Sequence, residues 1–184
     1  MDARFEREGA ASAAVVPRQG DRSLRQLDGV HVGVGEYRVV HSPERLISIG
    51  LGSCVGIAIF DLQAQVGGLA HAMLPRYEEG RDKVNASKYA DSSIMLMVDE
   101  LVEMGATKGR LKAKMAGGAQ MFSFISSDAL NIGLRNSEAA RATLKAERIP
   151  LLAEDVGGTK GRTVTFSTAD GSYRIQKGTE VMEI

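Results

Sequence analysis

The chain has 184 residues, 43% of them apolar and 25% charged, which is enough for one domain with a sizeable core. Its 23 Lys and Arg residues balance its 23 Asp and Glu residues, so no excess of positive charge favours nucleic acid or a membrane surface as partner. No apolar run approaches the roughly 20 residues that span a bilayer, the start lacks a signal-peptide pattern, and a single cysteine excludes an internal disulfide. These features favour a cytoplasmic protein that acts on a protein or a small molecule.

The chain divides into a tail and one domain. Residues 1–29 mix charged side chains with Ala, Ser and Gly and show no sustained apolar periodicity. Such a segment cannot bury enough apolar surface to offset the entropy of ordering it, so it is predicted to be a disordered tail. The folded domain is expected over residues 30–184.

Three strands are predicted in the first half of the domain. Residues 46–51 are typical of a strand, and residues 54–60 form a continuous apolar run rich in β-branched side chains. A run of that length, bounded by glycines and an aspartate, predicts a strand buried on both faces. After a turn at residues 61–65, residues 67–74 are expected to form its partner strand, which Pro75 ends.

Two helices follow. Residues 90–104 carry apolar side chains at helical spacing, and Gly105 is a typical stop signal. After a strand at residues 111–115, a second helix is predicted to begin near Asn136, a residue that often caps helices, and to end before Pro150.

The C-terminal part of the domain has the pattern of a hairpin, with residues 162–168 and 172–177 on either side of an Asp-Gly turn. Strands outnumber helices and only some of them alternate with helices. The sequence therefore predicts a single α+β domain, in which mixed β-sheets are packed with two main α-helices on the outside.

Cys54 is the first residue that suggests chemistry. It follows Gly50 and Gly52, which allow a tight turn and the close approach of a substrate backbone, and it begins the buried strand. Its position alone favours a small buried hydrophobic residue, because free cysteines are among the most buried side chains. The alternative is a nucleophile held at the mouth of a rigid element.

His71 lies inside an apolar strand, where an imidazole without a hydrogen-bond partner costs about 1–3 kcal/mol. It is either a core histidine bonded to a backbone carbonyl or a base paired with Cys54 on the neighbouring strand. In the second case the imidazole is expected to accept the thiol proton and to lower the thiol pKa. His31 and His41 lie outside any such strand and are expected to be exposed or locally bonded.

No metal or cofactor is expected. One cysteine and one histidine are too few for a closed zinc site, and no set of Cys or His residues has ligand spacing. The glycine pairs at 117–118 and 157–158 lack the residues of a phosphate-binding loop or a dinucleotide fingerprint. They are expected to form turns or to line a cleft.

Seven blocks of the sequence resemble the CheD family of chemoreceptor glutamine deamidases, and the resemblance covers residues 30–177. The block around Cys54 reads Gly-Leu-Gly-Ser-Cys-Val, and the block around His71 reads Gly-Gly-Leu-Ala-His-Ala-Met-Leu-Pro. The other blocks lie at residues 33–37, 88–91, 116–122, 131–136 and 153–158. The order of the blocks favours the catalytic interpretation of Cys54.

The resemblance implies a catalytic set of cysteine, histidine and threonine. Cys54 and His71 match the first two, and the third falls at Ser48, where the family usually has threonine. Serine keeps the hydroxyl that could orient the imidazole but lacks the methyl group that restricts the rotamer. The alternative for Ser48 is a polar residue on a strand face.

The activity that the resemblance implies is hydrolysis of glutamine side chains to glutamate on methyl-accepting chemotaxis receptors, through a Cys-His thioester mechanism and without a cofactor. Some relatives also hydrolyse receptor methyl esters. The family also implies binding to a CheC-type chemotaxis phosphatase, so a binding regulator with secondary catalysis is the alternative function. A papain-like peptidase is a third reading, but the signature of that family around its cysteine is missing.

Overall fold

The computed structural model describes residues 29–80, 83–120 and 131–184, which form ten β-strands and two α-helices. The predicted tail, apart from Gly29, lies outside the described residues. The helices are α1 (Ala90–Glu103) and α2 (Ile132–Ala146). The strands are β1 (Val30–His31), β2 (Tyr37–His41), β3 (Arg45–Leu51), β4 (Val55–Asp61), β5 (Val66–Ala72), β6 (Lys112–Gly117), β7 (Leu151–Val156), β8 (Arg162–Ser167), β9 (Tyr173–Lys177) and β10 (Glu180–Glu183). Neither helix is long and apolar enough to cross a membrane.

The strands form two five-stranded sheets. The outer sheet has the order β1-β3-β8-β9-β10, and the central sheet has the order β2-β5-β4-β6-β7. Both sheets are mixed, because β1 runs parallel to β3 and β6 runs parallel to β7 while the other neighbours are antiparallel. This architecture confirms the predicted α+β fold with two helices.

The central sheet is covered on both faces. Val55 and Ile57 of β4 pack with helix residues such as Met97, whereas Ala58 packs with Phe166 of the outer sheet. Strands β4 and β5 are buried along their whole length, as the continuous apolar run predicted for β4. The candidate site lies in the layer between the two sheets.

The predicted start of the second helix is wrong. Helix α2 begins at Ile132, and the side chain of Asn131 caps it by accepting a hydrogen bond from the Leu134 amide. Asn136 is fully buried inside the helix. The prediction failed because both asparagines suit a cap, and the true cap stands one turn earlier.

Three other predictions have clear outcomes. Helix α1 ends one residue earlier than predicted, next to Gly105, and β8 and β9 form the predicted hairpin. His31 and His41 are exposed as expected, although they lie in the edge strands β1 and β2.

Candidate active site

Cys54 is the last residue of a short connection between β3 and β4, which we call the cysteine loop (residues 52–54). Gly50 has a φ of 79°, a conformation that favours glycine, and its carbonyl accepts from the Gly52 amide at 2.9 Å. The pairing of β3 with β8 also shifts register between Ser48 and Leu51. The loop therefore leaves the outer sheet abruptly and places a half-buried Cys54 at the start of β4.

Cys54 and His71 face the same layer. His71 of β5 is directly opposite Gly56 of β4, and Cys54 precedes Gly56 by two residues. Side chains two residues apart along a strand share a face, and diagonal neighbours across a strand pair are separated by about 7–8 Å at Cα. Cys54 packs against the apolar cluster between the two sheets, and His71 meets Ser48 of the outer sheet, so both side chains lie on the same face of the central sheet.

The glycine opposite His71 is required by its surroundings. A Cβ atom at Gly56 would lie 2.7 Å from the Tyr173 hydroxyl and 2.9 Å from Leu51 Cδ1. The Tyr173 hydroxyl donates a hydrogen bond to the Gly56 carbonyl at 2.9 Å. This close approach of the outer sheet fixes the strand that carries Cys54.

Ser48 reaches His71 from the outer sheet, and its hydrogen bonds favour one tautomer of the imidazole. Ser48 Oγ lies 2.7 Å from His71 Nδ1 and donates to the Val32 carbonyl at 3.1 Å. A hydroxyl has one proton. Because Ser48 donates that proton to the Val32 carbonyl, its oxygen accepts a hydrogen bond from Nδ1–H of His71. The lone pair of the imidazole is therefore on Nε2, which is buried and has no hydrogen-bond partner among the described residues. A neutral imidazole held in this way can act as a base through Nε2.

Burial sets the protonation of the pair. It raises the pKa of the Cys54 thiol, although the amide of Cys54 itself opposes the shift. It lowers the pKa of His71, with the Val32 carbonyl opposing. Both shifts favour neutral thiol and neutral imidazole, because both charged forms lose hydration on burial. The expectation that the imidazole lowers the pKa of the thiol stays a prediction, because the shift of the thiol reflects its burial and its own amide.

All three carbonyls of the cysteine loop accept a hydrogen bond. The pairs are Ala119 N–H to Gly52 at 2.8 Å, Asn136 Nδ2 to Ser53 at 2.9 Å and Gly118 N–H to Cys54 at 2.8 Å. In a trans peptide the carbonyl and the following N–H point in opposite directions. The amides of Ser53 and Cys54 therefore point away from these donors, and neither donates to another described residue. Two adjacent free amides beside a thiol are suited to binding an oxyanion.

Three of the four glycines in the two pairs line a cavity, as expected. Gly118, Gly157 and Gly158 contribute to its wall, together with residues of α2, and its volume is about 380 Å³. Gly118 is also the residue whose amide holds the Cys54 carbonyl, so the cavity adjoins the cysteine loop. Within the described residues, no three His, Cys, Asp or Glu side chains lie together as metal ligands would.

A buried arginine supports the wall of this cavity. Arg162 of β8 donates to Asp155 at 3.0 Å, to the Gly117 carbonyl at 3.2 Å and to the Gly157 carbonyl at 2.8 Å. Lys177 donates to the same carboxylate at 2.8 Å. This cluster joins the outer sheet to the end of β6, next to the cysteine loop.

The sequence analysis did not identify Arg162, and it misjudged Asn136. The buried face of α2 includes Gly133, Asn136, Ser137, Ala140 and Leu144, which recur at helical spacing. An asparagine on the buried stripe of a helix is a signal that this periodicity could have revealed. Arg162 gives no such signal, because three of its partners are backbone carbonyls, which any residue supplies, and one of these, Gly117, lies 45 residues away.

The fold and the site together define an α+β protein with a cysteine at the head of a buried strand and a hydroxyl-held imidazole on the neighbouring strand. The sequence comparisons identify the family. The CheD family, described as "CheD chemotactic sensory transduction", has a sequence model that matches residues 73–177, and the chain belongs to this family. That range includes none of Ser48, Cys54 and His71.

Three bacterial relatives extend the comparison, and each has the name "Probable chemoreceptor glutamine deamidase CheD". The relative from Moorella thermoacetica is 49% identical over 151 residues, covering 80% of this chain and 89% of the relative. Those from Desulforamulus reducens and Clostridium novyi are 45% and 43% identical, covering 80% and 81% of this chain and 89% and 93% of their own lengths.

Solved structures give a much weaker likeness. The Bacillus licheniformis hypothetical protein YfiH is 18% identical with a TM-score of 0.42, over 65% of this chain and 49% of that protein. A likeness at this level carries no weight for the function.

Proposed function

We propose that this chain hydrolyses glutamine side chains to glutamate on the cytoplasmic domains of methyl-accepting chemotaxis receptors, with Cys54 as nucleophile and His71 as general base. Membership of the CheD family and the names of the relatives support the substrate. The observation that carries the residue roles is the hydrogen bond of 2.7 Å between His71 Nδ1 and Ser48 Oγ. Because Ser48 gives its own proton to the Val32 carbonyl, it accepts from Nδ1–H, and Nε2 is left to act as the base.

The first half of the reaction forms a thioester. His71 Nε2 accepts the thiol proton while Cys54 Sγ attacks the carbonyl carbon of the glutamine carboxamide. The negative charge that develops on the carboxamide oxygen is stabilised by the free amides of Ser53 and Cys54. When the tetrahedral intermediate collapses, the imidazolium gives its proton to the departing nitrogen. Ammonia leaves, and a γ-glutamyl thioester remains on Cys54.

The second half releases the product. A water molecule gives one proton to His71 Nε2 and attacks the thioester carbonyl, and the same two amides stabilise the second tetrahedral intermediate. Cleavage of the C–S bond then returns the proton to sulfur, which restores the neutral pair that burial favours. The product is a glutamate side chain, and the two half-reactions need no cofactor.

The same nucleophile serves a methyl ester. Attack on a glutamyl methyl ester would give the same thioester, with methanol leaving instead of ammonia. The second half-reaction is then identical. Receptor methylesterase activity is therefore part of the proposal, as a reaction that shares the Cys54 thioester.

Mass spectrometry of a receptor cytoplasmic domain tests the proposal. The receptor fragment is incubated with the protein or with Cys54→Ala, and conversion of each amide to an acid adds about one dalton. We expect deamidation with the parent protein and none with the variant. Val40→Ala is the matched control, because Val40 packs against the same apolar cluster as Cys54 but lies away from the loop.

Two results would contradict the proposal. Deamidation by Cys54→Ala at the rate of the parent protein would exclude the nucleophile. A parent protein that leaves every receptor glutamine intact, yet binds a CheC-type phosphatase, would favour the regulatory alternative.

A further inference from the structure

We propose that Asn136 is a positioning residue, whose side-chain amide sets the direction of the Cys54 N–H so that it can stabilise the oxyanion. The proposal rests on the proposed function, because it assigns a role within the same reaction.

Asn136 lies where a polar side chain is not expected. It is fully buried in the middle of α2, and it caps neither end of the helix. One turn earlier, a Cβ atom at Gly133 would lie only 2.4 Å from the Gly118 carbonyl oxygen. Helix α2 therefore packs directly on the segment whose Gly118 amide holds Cys54, and Asn136 is carried to the same place.

The two protons of Asn136 Nδ2 go to two different strand ends. They are donated to the Ser53 carbonyl at 2.9 Å and to the Met73 carbonyl at 3.1 Å. The β4–β5 ladder ends at the pair Val55 and Ala72, so these carbonyls lie just beyond its last pair. The amide thus links the strand that begins after Cys54 to the strand that carries His71.

The hydrogen bond to Ser53 orients the next amide. The Ser53 carbonyl and the Cys54 N–H belong to one planar trans peptide, so holding the carbonyl on the α2 side turns the N–H to the opposite side. The Cys54 amide also lies close enough to its own sulfur to oppose the rise in the thiol pKa. Of the three groups that hold the loop carbonyls, Asn136 alone acts through a side chain, and so it can be tested by substitution.

The other side-chain atom of Asn136 argues against a purely structural role. Oδ1 is buried and has no hydrogen-bond partner among the described residues. A buried polar atom without a partner destabilises the fold, and an apolar side chain of similar size would avoid that loss. The feature of Asn136 that the site uses is its pair of N–H groups.

The test compares Asn136→Leu with Leu144→Ala, a control two turns further along the same buried face. The control removes apolar volume and destabilises the helix, but it leaves both Nδ2 hydrogen bonds intact. For each variant, kcat and KM for a receptor fragment are measured by mass spectrometry. The thermal midpoint and the pH dependence of Cys54 alkylation by iodoacetamide are measured alongside.

For Asn136→Leu we expect kcat to fall by about 10- to 100-fold, with KM within a few-fold. This is less than the roughly 100- to 1,000-fold effect of removing an oxyanion donor, because the Cys54 amide remains and only its orientation is lost. The pH dependence of alkylation should match the parent protein, because alkylation forms no oxyanion. Leu144→Ala should keep its kcat per folded molecule despite a lower thermal midpoint. If Asn136→Leu does not fold, Asn136→Ser, which keeps one O–H donor, should show a smaller loss of kcat.

A kcat for Asn136→Leu equal to that of the parent, or reduced no more than that of Leu144→Ala, would overturn the proposal. An unchanged kcat for Asn136→Ser would also overturn the proposal. Failure of the proposed function is a separate result, since it would appear as an inactive parent protein or an active Cys54→Ala.

Discussion

Ser48 has one hydroxyl proton, and the destination of that proton decides which nitrogen of His71 can act as a base. Because the proton goes to the Val32 carbonyl, Ser48 accepts from Nδ1–H and leaves Nε2 free. The substitution of threonine by serine, which left the role of this position open in the sequence, therefore keeps the group that the site uses.

Replacement of Ser48 tests this orientation. Ser48→Ala should lower kcat by about 10- to 100-fold, because the ring loses the partner that fixes its tautomer and angle. Ser48→Thr should stay within a few-fold of the parent protein, because the hydroxyl is retained. Steady-state deamidation of a receptor fragment measures both. An alanine variant as active as the parent protein would show that Ser48 does not orient His71.

The proposed role of His71 as the base predicts the pH dependence of the reaction. The imidazole must be neutral to accept the thiol proton, and burial lowers its pKa, so the neutral form persists to a lower pH than for a free histidine. The acid limb of kcat/KM should therefore lie below the ordinary histidine value of about 6.5. A profile of kcat/KM from acid to neutral pH measures this limb. An acid limb centred at or above the ordinary value would contradict the buried, neutral base.

At the scale of the elements, local patterns predicted those elements whose signal is local. Strand β4 followed from an unbroken apolar run, and α1 followed from its apolar stripe and the glycine after it. The predicted start of α2 was wrong because both Asn131 and Asn136 suit a helix cap, and only the burial of Asn136 distinguishes them. Burial of Asn136 depends on the cysteine loop, more than 80 residues earlier in the chain, as the sequence separation of 83 from Ser53 shows.

Gly133→Ala tests how closely α2 packs, because the substitution has two opposite effects on stability. In an exposed helix, replacing glycine by alanine stabilises by about 1 kcal/mol. At Gly133 the new methyl group would meet the backbone oxygens of Gly118 and Ala119 at 2.4 and 2.8 Å. Because backbone cannot move aside cheaply, Gly133→Ala should destabilise the protein by about 1–3 kcal/mol.

Chemical denaturation measures the change in the free energy of unfolding. Ala142→Gly, at an exposed position of the same helix, is the control and should show only the helix-propensity loss of about 1 kcal/mol. A stabilised Gly133→Ala would mean that α2 does not pack closely on the segment after β6.

At the scale of the whole molecule, the candidate site depends on the packing of the two sheets. His71 belongs to the central sheet and Cys54 directly precedes its strand β4, whereas Ser48 belongs to the outer sheet. The sequence indicated that the first two lie on neighbouring strands, and the family resemblance supplied the third. The sequence could not show that Ser48 approaches His71 from another sheet. That arrangement depends on the pairing of β3 with β8, a strand more than 100 residues later.

Arg162 tests the connection between the sheets. Its guanidinium bridges Asp155 and three backbone carbonyls, and the side chain is only 3% exposed. Removing one partner of a buried ion pair typically costs about 3–5 kcal/mol. Lys177 still pairs with Asp155 in Arg162→Met, so this variant should destabilise the protein by somewhat less, about 2–4 kcal/mol.

The exposed ion pair of Arg141 with Glu154 provides the control. Arg141→Met should change the free energy of unfolding by less than about 1 kcal/mol, as is usual for surface pairs. Denaturation curves of the two variants measure the difference. Equal effects would show that the Arg162 cluster does not hold the sheets together.

The measurement that tests the central claim most directly is detection of the acyl-enzyme on Cys54. The protein is mixed with a receptor fragment, the reaction is quenched with acid within a turnover, and the digest is analysed by mass spectrometry. We predict a receptor peptide joined through a glutamine-derived thioester to the peptide that contains Cys54, and its disappearance on treatment with hydroxylamine. Receptor glutamines that are converted to glutamate with no adduct on Cys54 at any quench time, or at an equal rate by Cys54→Ala, would contradict the account.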